Sequence, residues 1–122
     1  MMSGTAVERI EISRPALAHN IREFRRLIGS KRKFLAVVKA NAYGHGIREV
    51  AGIAVTEGVD WLGVNSVDEG AALRLAGIGV PILVLGYSPL ASLEEAVVRD
   101  LRLTVYNRET VVRLASLAAR LR

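Results

Sequence analysis

Apolar and polar positions fall into an alternation of short continuous runs and longer periodic ones. Four continuous runs, Phe34–Val38, Trp61–Val64, Ile82–Leu85 and Leu103–Tyr106, are bounded by turn residues or helical pattern and predict strands. Because they are apolar throughout rather than at every second position, burial on both faces is expected, as in a parallel sheet flanked by helices. The gaps between them leave room for one helix and two turns each time. Ser13 with Pro15 opens a helix whose stripe is Leu17, Ile21, Phe24 and Ile28, ending at Gly29. A second runs from Ile47 to Glu57, with Val50, Ala51, Ala54 and Val55 inward and Gly58 closing it. Ser66-Val67-Asp68-Glu69 is a capping box opening a helix that stops near Gly77. Ser88-Pro89 starts a fourth. Asn107 caps a fifth, with Val111, Leu114, Leu117 (or Ala118) and Leu121 as its stripe.

That last helix runs to Arg122 with neither a stop signal nor a following strand. A closed (β/α)8 barrel takes about 250 residues, so the expected fold class is α/β: the first half of a (β/α)8 TIM-type barrel, about four parallel strands alternating with helices. Two open sheet edges point to a fragment, or to a half-barrel completed by association, with self-association or poor solubility expected. No internal domain boundary is visible, unless the residues before Ser13 form a strand of another sheet.

Composition narrows the function classes. The chain is 51% hydrophobic and 24% charged, with a mean hydropathy of +0.28, which excludes a disordered or low-complexity polymer. No apolar run approaches the ~20 residues of a membrane span, and Val7–Glu11 alternates instead of forming a signal-peptide core. The lack of cysteine excludes a disulfide framework, a thiolate metal site and a cysteine nucleophile, and allows a cytoplasmic setting. Seventeen basic against twelve acidic side chains give +5 and a pI near 10.2, which favours an anionic partner. Nucleic acid is not that partner on this pattern: the arginines are dispersed, and none of the six aromatics is interleaved with them as a stacking platform.

Three of the basic residues are lysines. Lys31 and Lys33 read as solvated loop charges, whereas Lys39 directly follows the first apolar run. It would stand at the carboxyl end of a buried strand, the edge where parallel sheets and barrels place their active sites. An ammonium there is costly unless it is paired or its pKa falls, and a free amine is what attacks an aldehyde. The competing reading is a snorkelling lysine with a buried stem and a hydrated head. Beyond it, Tyr43 offers a phenol able to donate to a phosphate, or simply a packed ring, and Gly44 and Gly46 permit tight turns near a ligand. His45 reads as a turn residue bonding the backbone more readily than as an acid–base group. It has no second histidine or carboxylate at ligand spacing, so no metal site is expected.

The run Ala36-Val37-Val38-Lys39-Ala40-Asn41-Ala42-Tyr43-Gly44-His45-Gly46 closely resembles the pyridoxal-phosphate attachment motif of alanine racemases. Glu11-Ile12-Ser13, with Leu17, Asn20 and Ile21, resembles that family's opening strand and helix. Val67–Arg74 resembles its second barrel helix, Pro81–Gly86 its third strand and Leu103–Tyr106 its fourth. The resemblance implies a fold-type III enzyme: an N-terminal barrel, a C-terminal β-domain and a homodimer. Residues 1–122 would be the N-terminal part of the cofactor-binding barrel, with 1–12 a strand belonging to the β-domain. It further implies that Lys39 holds pyridoxal 5'-phosphate as a Schiff base and moves the Cα proton, interconverting L- and D-alanine, the latter for cell wall. Tyr43 would contact the phosphate and Leu85 would line the ring pocket, although a third-strand leucine is expected in the core regardless. A tyrosine on the opposite face, an arginine at the pyridine nitrogen and further phosphate contacts have no match within 122 residues, so the chain alone is expected to be inactive. A broad-specificity amino-acid racemase is equally compatible. The alternative from another class is a non-catalytic half-barrel module that binds pyridoxal phosphate or serves assembly.

Overall fold

A computed structural model describes residues 8–121. Helix α1 (Arg14–Ile28) begins where Ser13 Oγ accepts a hydrogen bond from the Ala16 amide at 3.3 Å and Pro15 occupies the first turn. Gly29, at φ +78°, ends it. The strands are β1 (Leu35–Val37), β2 (Trp61–Val64), β3 (Ile82–Val84) and β4 (Arg102–Leu103). Between β1 and β2 lie α2 (Lys39–Tyr43), which is a single turn, and α3 (Ile47–Thr56). Helix α4 (Val67–Leu75) joins β2 to β3, and a 3₁₀ turn at Leu90–Ser92 leads into α5 (Leu93–Val98) before β4. Helix α6 (Arg108–Leu121) follows, with the Asn107 side chain accepting from the Thr110 amide at 2.8 Å.

Every strand pair is parallel and the spatial order is β1-β2-β3-β4. An order that never reverses is an arc of a barrel rather than a doubly wound sheet. In register, Ala36 faces Leu62, Leu62 faces Ile82 and Val84 faces Leu103. Leu62, Val64, Ile82 and Val84 are fully buried in one core with Ala51, Ala54, Val67, Leu73 and Ala96 of the helices. Full burial of each of those branched side chains contributes about 1.5–3 kcal/mol. The second face carries Leu35, Val37 and Leu85, whose side chains flank Gly63. Val37 is 39% and Leu85 38% exposed. Burial on both faces, expected from the continuous runs, therefore holds only for the helix side; among the described residues nothing covers the other.

Three local expectations change. Pairing of β4 stops at Leu103 instead of Tyr106, because its neighbour β3 ends at Val84. The Thr104 amide and hydroxyl both donate to the Val84 carbonyl, at 3.1 and 2.9 Å, and Val105 and Tyr106 are left exposed. On α1, Phe24 is exposed and meets Phe34 edge-on. Arg25 turns inward in its place, donating to the carbonyls of Arg32 and Gly58 and to the Asp60 carboxylate at 2.7–2.9 Å. On α6 only Leu117 of the expected stripe is buried, with Val111 and Leu121 exposed, since that helix packs chiefly on α5. Residues 1–7 of the strand expected over 1–12 lie outside the described residues, and 8–12 are irregular.

At the edge where the strands begin, the Arg74 guanidinium donates to the carbonyls of Ile78 and Val80 at 2.7 Å and to those of Arg99 and Asp100 at 3.0 Å. One side chain thus closes both the α4–β3 and α5–β4 turns.

Candidate active site

The opposite edge, where the strands end, holds the residues singled out by sequence. The β1 ladder continues through the Val38 amide, which donates to Gly63 at 2.8 Å, and Val38 is buried. The chain then changes hand. Ala40, Asn41, Ala42 and Tyr43 all have φ between +53° and +55°, so α2 is a left-handed turn built without glycine. Left-handed backbone costs roughly 1–2 kcal/mol for each residue that carries a Cβ, less for asparagine, and such strain persists only where the surroundings over-determine it.

The restraints are identifiable. Ala42 is buried, and its amide donates to the Val38 carbonyl at 2.9 Å. Gly44, at φ +91°, returns its amide to the carbonyls of Ala40 and Asn41 at 3.2 and 3.1 Å. Asn41 Oδ1 accepts the Ile47 amide at 2.9 Å, capping α3 from six residues upstream, while the Asn41 carbonyl accepts from Gly46. Gly46 stands at φ +94°, in the region that favours glycine. His45 Nδ1 sits 2.9 Å from the Ala42 carbonyl, the backbone-bonding role expected of it.

Among the described residues, Glu69 supplies the one side-chain hydrogen bond to this loop from outside it. Its Oε1 accepts the Ala40 amide at 2.8 Å and its Oε2 the Asn65 amide at 2.6 Å. The capping box is therefore half formed: Ser66 Oγ takes the Glu69 amide at 3.3 Å, but the carboxylate reaches past Ser66 to Asn65 and to the first strand's turn.

Lys39 is half-buried and forms no ion pair among the described residues. Tyr43 is 61% exposed and borders a cleft of about 360 Å³ with Val37, Ala42, His45 and the first turns of α1. Leu85 reaches over Gly63 toward Val37 on the open face. Val37 thus adjoins both the Tyr43 cleft and the Leu85 side chain, and Lys39 follows two residues beyond it. No group of three or more His, Asp or Glu side chains among the described residues could hold a metal ion. None of the described helices is long and apolar enough to cross a membrane.

With this geometry in view, the family model for the N-terminal domain of alanine racemase matches residues 12–122. The chain belongs to the alanine racemase N-terminal domain family. Alanine racemase 2 of Caldanaerobacter subterraneus subsp. tengcongensis is 44% identical over 112 residues, covering 92% of this chain and 29% of the relative. The solved alanine racemase of Clostridium difficile 630 superposes with a TM-score of 0.83 at 39% identity, over 86% of this chain and 28% of that one. A histidine racemase from Leuconostoc mesenteroides subsp. sake also superposes, at TM-score 0.76 and 31% identity, over 87% of this chain. The chain thus spans less than a third of the length of these racemases. Four parallel strands alternating with helices match the N-terminal half of the alanine racemase barrel.

Sequence reasoning missed the wider roles of Asn41 and Glu69. Asn41 carried a usable signal, since asparagine tolerates the left-handed region and caps helices. Glu69 was visible only as half of a capping box; its second partner, Ala40, lies in the turn after β1.

Proposed function

We propose that this chain is the cofactor-anchoring part of a pyridoxal-phosphate-dependent alanine racemase, with Lys39 as the point of covalent attachment. The observation that carries the reading is a half-buried lysine, paired with no carboxylate among the described residues, at the carboxyl edge of β1 within the attachment motif. The surroundings fit the group. Val37 and Leu85 offer an open apolar surface for a flat ring, and the Tyr43 phenol borders a neighbouring cleft, where it can donate to a phosphate. When bound, pyridoxal phosphate acidifies the Cα–H of an amino acid joined to it, because its ring accepts the released electron pair.

The residues of this chain then have separate tasks. Lys39 would hold the cofactor covalently, and its amine would take up or supply the Cα proton on one face of the amino acid, inversion requiring a second group on the opposite face. Tyr43 would hold the phosphate end, and Leu85 would pack on the ring. Alanine is the proposed substrate, from the names of the relatives, with D-alanine for cell wall as the product. A cytoplasmic homodimer is the proposed setting. The 122 residues by themselves are proposed to anchor the cofactor without turning over alanine.

Reaction with pyridoxal phosphate, borohydride reduction and peptide mapping test the assignment. Label should concentrate on Lys39 and vanish in Lys39→Ala. Label spread evenly over Lys31, Lys33 and Lys39 would overturn it, and racemisation by the 122-residue protein would overturn the anchor-only role.

A further inference from the structure

We propose that Glu69 is a positioning residue for Lys39: its carboxylate buckles the left-handed turn after β1 to the end of β2 and, through Asn65, sets the spacing to Leu85 just past β3. This rests on the reading of Lys39 as the anchor. The strained turn starts at Ala40, the residue bonded to Lys39. The Ala40 amide is satisfied by Glu69 Oε1 at 2.8 Å. The other oxygen of the same carboxylate takes the Asn65 amide at 2.6 Å. Asn65 in turn accepts the Gly86 amide on its carbonyl at 3.1 Å, one residue past Leu85. Glu69 thus joins the ends of β1 and β2 directly and that of β3 through one further hydrogen bond.

Gly86 permits the closeness of the last link, since a Cβ there would lie 2.4 Å from the Asn65 carbonyl oxygen. A carboxylate suits this task because it has acceptors only, one oxygen for each amide, and charge-assisted bonds to N–H groups are short and strong. An anchoring lysine needs its backbone fixed, since small displacements of a reacting group cost much of the rate.

Glu69→Gln and Glu69→Ala, each checked for intact fold by circular dichroism, separate the possibilities. In Glu69→Ala the rate of pyridoxal-phosphate labelling at Lys39, normalised to Lys31 and Lys33 in the same molecule, should fall about tenfold or more. Glu69→Gln, whose single carbonyl oxygen can serve one amide, should fall less. Without any cofactor, amide hydrogen exchange at Ala40 and Asn65 should quicken about ten- to a hundredfold in Glu69→Ala, and mainly at one of the two in Glu69→Gln. Unchanged selectivity for Lys39 together with unchanged exchange at both amides would overturn the proposal. If wild-type protein labels its three lysines alike, the anchor reading fails, and with it the positioning role; exchange then decides the clamp by itself. Should Glu69→Ala not fold, Glu69→Gln carries both measurements.

Discussion

Replacing Ala40 by glycine should stabilise this protein, although Ala→Gly is ordinarily destabilising. Ala40 stands at φ +53° and ψ +51° and is exposed. Removing its Cβ relieves roughly 1–2 kcal/mol of left-handed strain and sacrifices little burial. Against that, glycine adds about 0.4–1 kcal/mol of conformational freedom to the unfolded chain. The balance favours Ala40→Gly by about 0.5–1 kcal/mol. Ala115, exposed in the middle of right-handed α6, supplies the control, where the same substitution should cost about 0.8–1 kcal/mol. Urea denaturation followed by circular dichroism measures both. The midpoint should rise for Ala40→Gly and fall for Ala115→Gly, with the slope unchanged. Equal losses at the two sites would refute the strained turn. A gain in stability at Ala40 should also come with a looser Lys39, since the rigidity that α2 gives the amine would go with its Cβ.

Three further outcomes follow from the packing. Gly86→Ala should cost about 1–3 kcal/mol, because the new methyl meets a backbone oxygen that cannot yield. Gly63→Ala should cost less, since its nearest neighbours are the flexible ends of Leu35 and Leu85 on an open face; thermal unfolding compares the two. Arg74→Ala should lose about 2–4 kcal/mol of stability by the same measurement, and Arg74→Lys should recover little, as a single ammonium cannot reproduce the fork that serves four carbonyls. For Asp60, the Arg25 guanidinium and the Phe34 amide hold the carboxyl at about 2 instead of 3.8. A lowered folded-state value means stability that is fully present above pH 3.8 and lost as pH falls toward 2. The acid slope of the unfolding midpoint across that window should flatten in Asp60→Asn, and an unchanged slope would refute the assignment.

The four strands and the standing of Lys39 at a strand end could be read from residue order, because a continuous apolar run ending in a charged residue locates both. Where each strand stops could not: Val105 and Tyr106 are as β-prone as their predecessors, yet pairing ends where β3 has no more backbone to offer. The inward turn of Arg25 in place of Phe24 escaped the periodic pattern, since its partners are carbonyls and a carboxylate brought near by the fold. The left-handed turn was hidden for a related reason. Ala-Asn-Ala-Tyr favours that conformation only at Asn41, so the hand of the loop is dictated by Glu69, the cap on α3 and the buried Ala42. Tertiary contacts override local preference there, which is where a site that stores strain is expected to defeat local rules.

Arg25 with Asp60, and Arg74 with its four carbonyls, rivet the rim at which the strands begin, a full strand length from the amine of Lys39. The rivets and the strained turn therefore occupy different margins of the same sheet. Such a division lets substitutions accumulate for heat or acid tolerance at one margin while the turn that carries Lys39 at the other goes undisturbed, leaving descendants of this scaffold free to change habitat.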